Sequence, residues 1–104
     1  MLSIEFLKAE DPPRRSLILA TESKQMWGVP YSYVTAWDFQ PSGQAGVIEF
    51  FYSGRRVRLT GRNLETLWFS LLEHRVSTIT AVPRATGDDA RAEVIENIVV
   101  EDLK

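Results

Sequence analysis

The chain contains no cysteine, and that absence removes disulfide bridges, thiolate nucleophiles, zinc ribbons and iron–sulfur clusters together. It leans toward a reducing compartment. Histidine occurs once, as His74. The glycines at 28, 43, 46, 54, 61 and 87 are scattered, and neither G-x-G-x-x-G nor a Walker pattern occurs, which argues against nucleotide cradles of those types. No stretch approaches the run of about 18 apolar residues that a spanning helix needs. The opening MLSIEFLKAEDPPRR has neither a basic n-region nor a long apolar h-region. A cytoplasmic location without membrane contact is the expectation.

The 104 residues are 44% hydrophobic and 25% charged, an ordinary globular mixture that argues against disorder. One domain over 1–104 is expected, large enough to bury about two thirds of its unfolded surface without a staple. A formal net charge of −2 weighs against a domain built mainly to coat nucleic acid, leaving room only for a local basic patch.

The most informative stretch runs from Val47 to Arg75. With a tight turn at Ser53-Gly54 or Gly54-Arg55, a hairpin places Ile48, Phe50, Tyr52, Val57 and Leu59 on one face. Val47, Glu49, Phe51, Arg56, Arg58 and Thr60 take the other face. In the Ser53-Gly54 register, Glu49 stands opposite Arg58 and Phe51 opposite Arg56. Gly61 is read as closing the strand. Asn63 is read as the N-cap of a helix to Arg75, whose Leu64, Leu67, Trp68, Leu71 and Leu72 form the apolar stripe with Phe69 on its flank.

Elsewhere, 3–9 and 16–21 read as strands able to pair with each other, and 22–30 as loop. Strand 31–39 alternates so that Tyr31, Tyr33, Thr35, Trp37 and Phe39 share a side, but periodicity does not say which side is buried. Residues 41–46 read as loop, and 76–82 as a strand returning along the sheet. For 93–103 strand and helix compete; the Ile98-Val99-Val100 run favours the strand. The fold class is therefore α+β, a mainly antiparallel sheet of about five to six strands with one amphipathic helix on one face.

The catalytic inventory is thin. His74 at a helix C-terminus is explained by the helix dipole, and no nucleophile context surrounds Ser53 or Ser77. Asp88-Asp89 and Glu101-Asp102 are adjacent acids without a second cluster at metal-ligand spacing. No cofactor, metal or catalytic residue is expected. The candidate binding surface is Phe51, Arg55, Arg56, Arg58, Arg62 and Phe69. Its aromatic and cationic residues fit self-association or a protein partner, with nucleic acid as the alternative. Against these stands the bland reading that Glu49 neutralises Arg58 and that charge merely guards an exposed strand.

No family is identified from the residues alone. The order of hairpin, Gly61-to-Leu67 helix start and following strand is similar to that of many small bacterial domains. Over 33–82 it has some likeness to the DNA-binding domains of response regulators. No motif after the helix extends that likeness, and no residue's role is carried across.

Overall fold

Ser53 and Gly54 both take positive φ, 48° and 74°, and join two strands through a two-residue turn of the kind that matches their right-handed twist. The computed structural model describes residues 3–21, 23, 25–82 and 93–103. The flanking strands, Ala45–Tyr52 and Arg55–Arg62, pair in the Ser53-Gly54 register, with Glu49 opposite Arg58 and Phe51 opposite Arg56. Ile48, Phe50, Tyr52, Val57 and Leu59 are all buried. That hairpin is as the sequence requires.

In chain order the strands are β1 (Ile4–Phe6), β2 (Ser16–Ala20), β3 (Met26–Pro30), β4 (Val34–Ser42), β5 (Ala45–Tyr52), β6 (Arg55–Arg62), β7 (Val76–Thr80) and β8 (Val94–Asp102). A short 3-10 turn covers Tyr31–Tyr33, and helix α1 covers Glu65–Leu72. The class is α+β, but the strands form two sheets of four, ordered β1-β7-β2-β3 and β4-β5-β6-β8, where one sheet of five to six was expected. Pairing is antiparallel except between β2 and β7.

Each departure has a local cause. Residues 26–30 form a strand despite Gly28 and Pro30, because β2 pairs along their whole length and Val29 is fully buried between them. The first two strands do not pair with each other; β7 lies between them. The composition of 41–46 suggested a loop, yet only Gly43 and Gln44 turn, Gly43 at φ 61°, and both flanks continue the ladder. A register shift between Val34 and Ala36 ends the alternation expected from Tyr31 onward. Trp37 pairs with Phe50 and Phe39 with Ile48, so these rings face inward, while Tyr31 is buried and Tyr33 is exposed. Residues 94–102 are a strand, the favoured of the two readings.

Gly61 does not end its strand. It sits beside a register shift in β8, where the Val94 carbonyl and the Ile95 Cα occupy the space a side chain would need. The helix is shorter than the 63–75 span expected. Asn63 has φ 57° and lies ahead of the N-cap, Leu64, which forms no side-chain capping bond. At the other end His74, at φ 59°, sends its N–H to the Leu71 carbonyl (3.1 Å), and the Arg75 N–H reaches Ser70 O (2.8 Å). Those paired bonds close the helix as a Schellman motif, with histidine in the left-handed position that glycine usually fills.

Leu64, Leu67 and Leu71 are buried and Trp68 packs beside them. Leu72 was expected in the stripe but is 43% exposed; at about 100° per residue it falls on the flank of the line through 64, 67 and 71. One apolar cluster takes side chains from both sheets and the helix. Ser3 fastens the sheets at their rim: its hydroxyl donates to Thr80 O of β7 at 2.7 Å and accepts the Ile95 N–H of β8 at 2.9 Å.

Candidate functional site

Strand alternation turns Arg56, Arg58 and Arg62 of β6 to the outer face of their sheet, opposite Phe51, Glu49 and Ala45 of β5. Arg55 stands beside the turn, opposite Tyr52. Each of the first three arginines in the chain order of this set holds a carboxylate. Arg55 Nε lies 3.1 Å from Asp102, an Arg56 nitrogen 2.5 Å from Glu101, and Arg58 Nε 2.6 Å from Glu49. The acids on β8 reach the arginines because β8 is the next strand of the ladder, with Arg55 opposite Asp102 and Arg56 opposite Glu101. The Arg55 guanidinium is pushed above its usual pKa by hydrogen bonding to Tyr52 and then to Asp102.

Arg62 lies six positions along from Arg56, about 20 Å at the rise of an extended strand. It is half-buried, and its Nε is enclosed without a hydrogen-bond partner among the described residues. Phe51 is half-buried on the same outer face. Phe69 is elsewhere: it projects from α1, whose Trp68 ring meets inward-facing Phe39 at 5.6 Å between centroids, so the sheet stands between Phe69 and the arginines. Four of the six candidate residues, Phe51, Arg56, Arg58 and Arg62, share the outer face; Arg55 stands at the turn on the other side of the strand, opposite Tyr52, and Phe69 belongs to a different surface.

The arginine strand carries a row of solvent-exposed ion pairs, which water and salt screen. Its charges are largely cancelled, which leaves little net potential for an anionic polymer. On the helix, Phe69 is 57% exposed and Leu72 lies one turn further on, next to it on the outward flank.

The remaining chemistry is placed as follows. His74 follows the helix and stacks on Tyr31, rings 4.4 Å apart and 14° from parallel. The Tyr31 hydroxyl donates to Val76 O at 2.6 Å, and burial raises its pKa. Ser77 donates to the Glu5 carboxylate at 2.9 Å. Asp88 and Asp89 lie outside the described residues. Among the described residues no group of three or more His, Asp or Glu side chains is arranged to hold a metal. None of their helices is long and apolar enough to cross a membrane.

Sequence reasoning passed over Arg14 and Arg15, and counted Tyr33 only among the aromatics of strand 31–39. Their only local signal is the Pro12-Pro13 turn; what gathers them with His74 is pairing between segments about 60 residues apart in sequence.

No family model, curated protein or solved structure matches the chain. Function therefore rests on this geometry.

Proposed function

We propose that this chain is a small non-catalytic cytoplasmic domain that works by binding a protein surface, in the first place a second copy of itself. The supporting observation is the pair Phe69 and Leu72, 57% and 43% exposed, on a helix whose Leu67 and Leu71 are fully buried. Two large apolar side chains held side by side on a rigid helix can enter a partner's groove without first paying to be ordered. Sedimentation over a concentration series tests this. The wild-type chain should exceed its 11.8 kDa monomer mass as concentration rises. A Phe69→Ser, Leu72→Ser double variant should stay monomeric with its melting temperature little changed. A wild-type chain that is monomeric throughout sinks self-association.

The alternative, a nucleic-acid surface formed by Phe51 and the arginines, draws less support because three of the four arginines already hold carboxylates. It requires salt-sensitive binding to DNA or RNA that falls when Arg56 and Arg58 become glutamine; no binding at low salt ends it.

A further inference from the structure

The segment Arg14-Arg15 is tied to two others by backbone hydrogen bonds. The Arg14 N–H donates to His74 O and the Tyr31 N–H donates to Arg15 O, both at 2.9 Å. Between these three segments lies an open hollow of about 420 Å³, bordered by Arg14, Arg15, Ser16, Ser32, Tyr33 and His74. Among the described residues no carboxylate lines it. Among the described residues neither Arg14 nor Arg15 forms an ion pair, in contrast to Arg55, Arg56 and Arg58.

Two acids of the neighbouring groove are already engaged. Glu5 and Asp11 line the adjoining groove over the outer face of β1, β7 and β2, which also includes Arg14 and Arg15. The Glu5 carboxylate accepts the Ser77 hydroxyl, and that of Asp11 accepts the Lys8 N–H at 3.0 Å. Residues that carry guanidinium, hydroxyl and imidazole groups thus border the hollow together, with the exposed Tyr33 among them.

Its frame is set before any ligand arrives. The Schellman bonds fix the His74 backbone, the stack on Tyr31 fixes its ring plane, and the Tyr31 hydroxyl is anchored on Val76 O. Arg75 holds the turn leading into Pro12-Pro13 through the Lys8 and Asp11 carbonyls, the latter at 3.0 Å. The His74 ring, held in this way, loses little freedom on binding.

We infer that this hollow binds the phosphate group of a small aromatic phosphate monoester, with Arg14 and Arg15 on the phosphate oxygens, Ser32 and His74 completing their hydrogen bonds, and Tyr33 against the aromatic part. Phosphate is the chemistry of choice because two guanidinium forks with further donors offer more hydrogen bonds than the two oxygens of a carboxylate accept. The exposed face of Tyr33 favours a planar group beside the phosphate.

An amide NMR titration of the full chain at low salt, using phenyl phosphate, inorganic phosphate and benzoate as probes, tests the assignment. Phenyl phosphate should give saturating shifts confined to Arg14 to Ser16, Ser32, Tyr33, His74 and Arg75, with inorganic phosphate binding the same amides more weakly. Arg14→Gln with Arg15→Gln should weaken phenyl phosphate by about tenfold or more, as expected when charge-assisted hydrogen bonds are lost. Tyr33→Ala should reduce phenyl phosphate to the level of inorganic phosphate; melting curves of both variants establish that they fold. Shifts that never saturate, shifts centred on Arg55 to Arg58, unchanged affinity in the arginine variant, or benzoate binding as well as phenyl phosphate would each overturn it.

Discussion

At Gly61 a methyl group would overlap the Val94 carbonyl of the neighbouring strand, and both partners are backbone in a paired ladder that cannot move aside. Gly61→Ala should cost about 3 kcal/mol or more, readable as a lowered denaturation midpoint. Gly28 meets nothing within 4 Å at the same construction, so Gly28→Ala is the control and should change little. Tyr31 poses a different question, since burial keeps its phenol neutral well above the normal range. In the unfolded chain the phenol ionises near pH 10. Above that pH the native state holds a proton that the unfolded state releases, so stability falls as pH rises. Tyr31→Phe should lose about 1–3 kcal/mol at neutral pH, from the stranded Val76 carbonyl, and show a shallower alkaline decline. Equal alkaline slopes in urea titrations of both proteins would refute the assignment.

At the scale of elements, the β5–β6 hairpin was legible because alternation, turn residues and cross-strand charge all agree at Glu49, Arg58, Ser53 and Gly54. Helix α1 was legible in its centre and less so at its ends. Asn63 has the composition of an N-cap but takes φ 57° to leave β6, and His74 ends the helix where sequence offers no glycine. Strand β3 was missed because its partner β2, and not its own alternation, makes it a strand. The arginine-lined hollow was invisible for a similar reason: Arg14, Tyr33 and His74 have no common local pattern. The helix gives a direct comparison of faces. Leu67→Ala should cost about 2–5 kcal/mol, while Phe69→Ala should remain within about 0.5 kcal/mol, as an exposed position does. Trp68→Ala, at a half-buried site against Phe39, should fall between them. Equal losses at all three in a urea melt would mean that the helix presents a different face.

For the whole molecule, the two sheets share one core, and Ser3 closes their rim by joining β7 to β8. The same arrangement sets a timetable. Strands β4, β5 and β6 are joined by two tight hairpins and can zip from local contacts, whereas β1 and β2 both depend on β7, roughly 60 to 75 positions downstream. Closing so long an intervening chain is slow. Pulse-labelled hydrogen exchange during refolding should find Ile48 and Leu59 protected before Leu19 and Ile79; the reverse order would contradict it. A consequence follows for synthesis, where residues emerge in order. Until Val76–Thr80 is made, the β2–β3 hairpin has one ladder edge unfilled and Ile4–Phe6 has no neighbour at all, so the first strand of the chain is among the last to find its place.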